Sequence, residues 1–171
     1  MKRHQTPLIV AVALLAVASF SLTVLAQDRG VILAGAELTR VVPTAFYFQG
    51  QSAPTQMRNS AAARFGTNRF VIAGMVDTSG YSAEIRARYE GFFITDSAIT
   101  IGGETLSTGA YGFGFSKDGK LNILDIAGNE VISVAVTNDK DLRRPRPLSM
   151  TMSGNEVRLY RGRDYVVIAV K

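Results

Sequence analysis

The stretch from position 110 to position 136 places the strongest constraint on what this chain can fold into. It begins with aromatic residues at every second position, namely Tyr111, Phe113 and Phe115. Side chains that alternate with a period of two point to opposite faces of a β-strand. Asp118-Gly119 and Gly128-Asn129 interrupt the alternation with residues that are typical of tight turns. The stretch is therefore predicted to form a meander of three antiparallel strands.

The predicted register of this meander gives it a notch on one face. A two-residue type I′ turn at Asp118-Gly119 sets Gly114 opposite Ile123 and Gly112 opposite Asp125, and the next strand adds Val134 to the same face. Glycines inside a strand often mark the close approach of a ligand or of another backbone. The candidate ligand-binding residues are therefore Gly112, Gly114, Ile123, Asp125 and Val134.

A short helix predicted at residues 79–91 is the expected cover for that face. Tyr81, Ile85 and Tyr89 recur every four residues and form one apolar stripe. The apolar neighbours that need cover are Leu121, Ile123, Ile132, Val134 and Val136. We expect the helix to dock on them, and the alternative is a ligand or a partner in the same place.

The rest of the chain predicts an all-β fold. Short apolar segments with turn residues between them follow one another at near-regular spacing, which is typical of an antiparallel sandwich or barrel built from hairpins. The N-terminal part is expected to contain strands at 31–39 and 44–49, with a loop at 50–56 that contains Pro54. Residues 57–65 are interpreted as a further strand, since the turn at Gly66-Thr67-Asn68 and the strand at 70–76 indicate a hairpin, although Ala61 to Ala63 favour a helix. Together with the short helix, these elements are expected to form one domain, residues 27–171.

The first 26 residues resemble a secretory signal peptide. Lys2 and Arg3 precede a long apolar run, and Val24-Leu25-Ala26 places small residues at the positions that a signal peptidase recognises. The alternative is an uncleaved anchor, because residues 8–26 approach the ~20 apolar residues that span a bilayer. In both cases the folded domain is expected to be exported, and a periplasmic or secreted location follows.

The composition excludes several classes of catalytic and metal site. The chain has no cysteine, and its only histidine, His4, lies in the predicted signal peptide. A Ser-His-Asp triad, a Cys-His dyad, an ordinary zinc site and haem ligation by histidine are therefore excluded for the mature domain. We expect no cofactor, no metal and no catalytic residues of these kinds. The mild positive charge that remains makes nucleic acid an improbable partner for an exported chain.

Three sets of polar residues are candidates for functional sites. Asp125 is placed on an apolar face, where burial would raise its pKa, but an acid at the end of a strand that reaches water is the preferred interpretation. Asn138, Asp139 and Asp141 lack the spacing of a calcium loop. The arginine-rich loop at 143–146, with further arginines at 158–163, is a candidate for binding nucleic acid or an anionic glycan, but a solvated loop is the preferred interpretation.

The stretch from Ile101 to Phe115 resembles a hairpin of uncharacterised exported bacterial β-proteins. Its features are a turn that contains glycine, a leucine, and Gly-x-Tyr at the start of an alternating strand. The Arg-Pro-x-Pro-Leu segment and the closing Leu-Tyr-Arg-Gly-Arg-Asp-Tyr are similar to the same proteins. The resemblance covers roughly the C-terminal half and implies an exported all-β fold with no assigned activity and no site residues.

Two classes of function follow, with a third that the sequence does not separate from the first. The leading hypothesis is a non-enzymatic exported domain that binds an apolar small molecule or an envelope partner. The competing hypothesis is a hydrolase, for example one directed at glycans, that uses carboxylates alone. A structural or assembly protein is the third. An apolar cavity of several hundred Å³ favours binding, whereas two facing carboxylates in a polar cleft favour the enzyme.

The signal peptide makes a direct prediction about the mature protein. We expect cleavage after Ala26 on expression in a bacterium, because the small residues of 24–26 follow an apolar run with a basic start. N-terminal sequencing of the exported protein should then begin at Gln27. Recovery of the chain from the membrane fraction with Met1 still attached would instead identify an anchor.

Overall fold

The structure, a computed structural model, describes residues 30–170. The predicted signal peptide and its cleavage site lie outside these residues. The helices are α1 (Gly35–Val41) and α2 (Ala83–Arg86). The strands are β1 (Gly30–Ile32), β2 (Ala45–Phe48), β3 (Gln51–Phe65), β4 (Arg69–Val76), β5 (Gly91–Thr95), β6 (Ile99–Ile101), β7 (Glu104–Leu106), β8 (Gly109–Ser116), β9 (Lys120–Leu124), β10 (Glu130–Ala135), β11 (Thr137–Asn138), β12 (Arg146–Ser153), β13 (Glu156–Gly162) and β14 (Asp164–Val170).

The strands form two antiparallel sheets that pack as a sandwich, which confirms the all-β prediction. Sheet 1 has eight strands in the order β1-β3-β4-β5-β8-β9-β10, with β2 paired to the first part of β3. Sheet 2 has six strands in the order β12-β13-β14-β6-β7, with β11 paired to β14. After β5 the chain crosses from sheet 1 to sheet 2, where it forms β6 and β7. It then returns to sheet 1 with β8, the first strand of the meander.

The main hydrophobic core lies between the two sheets. Phe93 and Phe113 of sheet 1 are fully buried there, and they share the core with Leu159 and Ile168 of sheet 2. Alternation along each strand directs one set of side chains into this space. Burial of each such large apolar side chain contributes about 1.5–3 kcal/mol to the free energy of unfolding.

A second, smaller core covers the outer face of sheet 1. The β2–β3 hairpin lies over this face, and its Phe48 ring stacks on the Tyr89 ring with centroids 3.9 Å apart. The amide of Gln49 at the hairpin tip donates to the carbonyl of Ile126, at a distance of 2.9 Å, in the turn between β9 and β10. Sheet 1 is therefore covered on both faces, on one by sheet 2 and on the other by its own hairpin and connecting segments.

The strand register in the meander differs from the prediction by one residue. Ser116 pairs with Lys120, so that the loop has three residues, and only Gly119 in it has a positive φ, of 77°. A three-residue loop of this kind is a type I turn followed by a residue in the left-handed region. Gly114 consequently lies opposite Asn122 and Gly112 opposite Leu124. The type I′ prediction was wrong.

A two-residue turn with two positive φ values occurs elsewhere, at Gln49-Gly50. The φ angles there are 47° and 81°, and Phe48 pairs directly with Gln51 across the turn. These angles are those that a type I′ turn requires. Residues 51–56, part of the segment predicted to be a loop because of Pro54, therefore belong to β3, where Pro54 pairs with Ala45. The amide of Thr55 donates to the carbonyl of Thr44 at 2.9 Å, so Pro54 and Ala45 form a non-hydrogen-bonded pair, in which the proline interrupts no hydrogen bond to β2.

Both helices differ from the sequence-based expectation. The strand predicted at 31–39 ends at Ile32, and α1 follows, since Ala36 and Leu38 favour a helix and Glu37 lies favourably in its first turn. The helix predicted at 79–91 is reduced to α2, with the Ser82 side chain accepting a hydrogen bond from the amide of Ile85. Neither helix in residues 30–170 is long and apolar enough to cross a membrane.

An ion pair joins the two sheets at one end of the sandwich. Arg161 of β13 donates two hydrogen bonds to the Glu90 carboxylate, Nη2 to Oε1 at 3.0 Å and Nε to Oε2 at 3.3 Å. The same carboxylate accepts a hydrogen bond from the amide of Phe115 in sheet 1, at 3.3 Å. Both side chains are half-buried. A bidentate pair of this kind holds the layers in one relative position.

The close approach at Gly114 gives a prediction about stability. A side chain at this position would clash with the backbone carbonyl of Arg88, which has little freedom to move. We expect Gly114→Leu to lower the free energy of unfolding by about 1–3 kcal/mol in urea denaturation, because it overpacks this contact. The control Ala110→Leu adds the same side chain at an exposed position of β8 and should change the stability by less than about 0.5 kcal/mol. Equal denaturation midpoints for Gly114→Leu and the wild-type protein would contradict this packing.

Candidate functional site

A cavity of about 360 Å³ lies at the seam where the edge strand β12 of sheet 2 packs against β3 and β1 of sheet 1. Its apolar lining comes from four elements and their connections, namely Ile32, Leu33, Leu38, Met57, Leu148 and Met150. Leu148 and Met150 belong to the core between the sheets, whereas Leu33 belongs to the core on the outer face. The cavity therefore lies where the two hydrophobic cores meet.

The polar lining that residues 30–170 contribute to this cavity is basic. Arg58 of β3 and Arg146 of β12 both line it, and both side chains are exposed. Ser60 and Ser149 add hydroxyl groups, but the Ser60 hydroxyl already donates to the carbonyl of Gln56 at 3.2 Å. Among residues 30–170, no aspartate or glutamate lines the cavity. An apolar volume with cationic groups at its mouth is suited to binding rather than to acid–base chemistry.

The local sequence explains why these side chains converge at the seam. Irregular pairing of β3 with β4 between Thr55 and Ser60 breaks the regular ladder next to Met57 and Arg58. The pairing of β12 with β13 is also irregular, between Arg146 and Ser149. Such bulges bend a strand and re-aim its side chains. Two bulges at facing edges therefore leave space that regular strands would close.

The structure does not bring the five sequence-predicted site residues together. Ile123 and Val134 point into the core between the sheets, whereas Gly112 and Gly114 lie on the outer face of sheet 1. The one-residue difference in register is the reason, since it moves every side chain of a strand to the opposite face. Asp125 lies beyond the end of β9, in the turn. A ligand-binding role for these residues remains a prediction.

The space beside the two glycines is occupied by the protein itself. A Cβ atom on Gly112 would meet the Phe48 ring, and one on Gly114 would meet the backbone at Arg88 and Tyr89. The segment that follows α2 therefore covers Gly114, whereas the β2–β3 hairpin covers Gly112. The apolar residues that were expected beneath it, such as Ile123 and Ile132, are covered by sheet 2 instead.

Asp125 organises a turn and is not a buried acid. Its carboxylate accepts hydrogen bonds from the Asn129 side chain at 2.8 Å and from the amides of Ala127 and Asn129, each at 2.9 Å. The pKa of Asp125 is held below its ordinary value, first by the hydrogen bond from the Asn129 side chain and then by those from the backbone amides. The interpretation as a strand-end acid is supported, and the raised pKa considered for a buried site is wrong.

Three of the six arginines between positions 143 and 163 are engaged within the fold. Arg161 pairs with Glu90, and Arg163 donates to the carbonyls of residues 139, 140 and 142. The Arg158 guanidinium lies over the Tyr165 ring, 4.8 Å from its centroid. Of the arginines from the 143–146 loop, only Arg146 reaches the cavity. The segment therefore does not form one continuous cationic surface.

The acidic loop after β11 is held by internal hydrogen bonds. The Asp139 carboxylate accepts from the Tyr160 hydroxyl at 2.9 Å and from the amides of Asp141 and Leu142, each at 3.1 Å. Asn138 donates to Asp164 at 2.7 Å. Across residues 30–170, no group of three or more acidic, histidine or cysteine side chains is arranged to hold a metal ion.

Sequence reasoning did not find the seam cavity. Its residues come from β1 and α1, which were predicted as one strand, from the middle of β3, and from β12, whose place at the sheet edge depends on long-range pairing. The one available signal was the sequence Met57-Arg58, where an apolar and a cationic residue interrupt an otherwise small and polar run.

Comparisons with protein-family models, with curated proteins and with solved structures found no match to this chain. The resemblance of the C-terminal half to exported bacterial β-proteins is therefore not accompanied by a family assignment. Function must be inferred from the geometry of the cavity and from the groups that line it.

The turn at Asp125 makes a prediction about pH. Its pKa is lower in the folded protein, so its contribution to stability is present above the unfolded value of about 3.8 and is lost as the pH falls through the folded value. We expect Asp125→Asn to lower the urea midpoint at neutral pH and to have little effect well below pH 3.8. Asp141→Asn, at an exposed loop position, is the matched control. A midpoint difference for Asp125→Asn that is independent of pH would contradict the assignment.

Proposed function

We propose that this protein is an exported, non-enzymatic β domain that binds an apolar small molecule in the seam cavity. The observation that carries the proposal is the cavity of about 360 Å³, lined mainly by aliphatic and methionine side chains. Volumes of ~300–1,000 Å³ with an apolar lining and a few polar groups are typical of ligand sites. Export rests on the basic and apolar N-terminal segment alone.

The lining supports binding over carboxylate-based hydrolysis. A glycosidase requires two carboxyl groups ~5–9.5 Å apart across its substrate, and none of the described residues that line this cavity, all within 30–170, is acidic. Met57 adds a flexible thioether, which adapts to ligands of different shape. Hydrolysis by carboxylates therefore has no support at this cavity.

The half-buried residues of the lining provide the test. Leu38 and Met57 contribute apolar surface and are not fully buried, so that a charge there is tolerated by the fold. We expect the wild-type protein to bind the neutral fluorescent probe N-phenyl-1-naphthylamine at one saturable site. Leu38→Asp and Met57→Asp should each weaken this binding about tenfold or more, because a carboxylate in the lining must be desolvated when the ligand enters.

The matched control places the same charge on an exposed apolar residue at the other edge of sheet 1. Val131 of β10 is 48% exposed and lies outside the cavity. Val131→Asp should bind the probe like the wild-type protein. Absence of saturable binding by the wild-type protein would overturn the proposal. Equal loss of binding in Val131→Asp and Leu38→Asp would place the probe outside the seam cavity and would also overturn it.

A further inference from the structure

The two arginines at the cavity have no partner within the fold. Across residues 30–170, neither the Arg58 nor the Arg146 guanidinium forms an ion pair or donates a hydrogen bond. This differs from Arg161 and Arg163, whose guanidinium groups are bonded to a carboxylate and to carbonyl oxygens. Arg58 and Arg146 therefore keep their hydrogen-bond donors available at the mouth of the cavity.

The positions of these two arginines converge from different sheets. Arg58 lies on β3 of sheet 1, and Arg146 is the first residue of β12 in sheet 2. Both line the same cavity, and no acidic side chain from the described part of the chain, residues 30–170, lines it to balance their charge. Two like charges at one site repel each other, and an anion between them removes this repulsion. Each guanidinium offers planar donors that match a carboxylate or phosphate group.

We propose that the seam cavity binds an amphiphile with a single acyl chain and an anionic head group. The acyl chain contacts Leu38, Met57 and Leu148, and the carboxylate or phosphate head is held at the mouth by Arg58 and Arg146. This inference rests on the proposed function, because it names the ligand class for the same cavity. The volume of about 360 Å³ lies at the lower end of the range for ligand sites, which favours one chain over two.

The shape of the lining supports an amphiphile over a small polar anion. The apolar part of the cavity is continuous with both hydrophobic cores, whereas the two cations lie at its exposed side. A small anion would leave the apolar volume unfilled, and an uncharged hydrocarbon would leave the guanidinium pair without a counter-charge. A ligand with an apolar chain and an anionic head group fills the apolar volume and balances the charge of the two arginines.

The experiment compares ligands that share one chain and differ in the head group. Isothermal titration calorimetry at neutral pH, below the micelle concentrations, uses decanoate, decyl phosphate, decanol and decyltrimethylammonium. We expect decanoate or decyl phosphate to bind at least tenfold more tightly than decanol, with decyltrimethylammonium weakest. Whichever of the two anions binds more tightly identifies the head group. The preference for the anion should also decline as salt is raised, since the arginines are exposed.

Variants of the two arginines assign the preference to the cavity. Arg58→Gln and Arg146→Gln should each lower the affinity for decanoate about tenfold and leave the affinity for decanol unchanged, which shows that the cavity itself is intact. Arg144→Gln removes the same charge from an exposed position outside the cavity and serves as the control. Its affinities should equal those of the wild-type protein.

The possible results separate the two proposals. If decanol binds as tightly as decanoate and the arginine variants change nothing, the cavity binds apolar ligands and the anionic head group is wrong. If neither decanol nor decanoate binds, the proposed function itself fails. If Arg144→Gln lowers the affinity for decanoate as much as Arg58→Gln does, the preference arises from the overall positive charge, and the assignment to these two residues is overturned.

Discussion

The whole structure depends on the fact that sheet 1 is apolar on both faces. Its central strands bury Phe93 and Phe113 against sheet 2, while Phe92 on the opposite face packs among aromatic residues of the outer core. A sheet of this kind needs two covers, and the chain supplies the second from its own β2–β3 hairpin. Phe48 of this hairpin reaches the sheet because Gly112 has no side chain there. The glycines that suggested a ligand site therefore allow the covering segments to pack closely on sheet 1.

The candidate site is a consequence of this double cover. The outer core and the inner core meet at the edge of the sandwich, where α1 and β3 face the edge strand β12. Packing at such a seam is interrupted because the strand pairing of both β3 and β12 is irregular there. The cavity thus lies between two well-packed regions that hold its walls in place. Arg58 and Arg146 come from different sheets, so the two positive charges lie at one cavity only after the sheets have packed together.

Local patterns in the sequence predicted the elements better than the contacts between them. The alternation around Phe113 identified β8, and the turn at Gly66-Thr67-Asn68 together with the strand that follows identified the β3–β4 hairpin. The loop length at Asp118-Gly119 could not be read from these residues, because Asp-Gly suits both a type I′ turn and a type I turn with a left-handed glycine. That single ambiguity moved Ile123 and Val134 to the wrong face. The position of Asp125 at the end of a strand was predicted correctly, since its carboxylate is hydrogen-bonded only to residues within four positions along the chain.

The sequence by itself determined the all-β class, the three strands of the 110–136 meander, and the absence of cysteine and of histidine beyond position 4. These properties depend on composition and on patterns within a few residues. Only the tertiary structure decided the pairing register, the folding of the β2–β3 hairpin over Gly112, and the meeting of Arg58 with Arg146 at one cavity. The physical reason is that these features depend on side chains far apart in sequence, whose proximity arises only when both faces of sheet 1 are buried together.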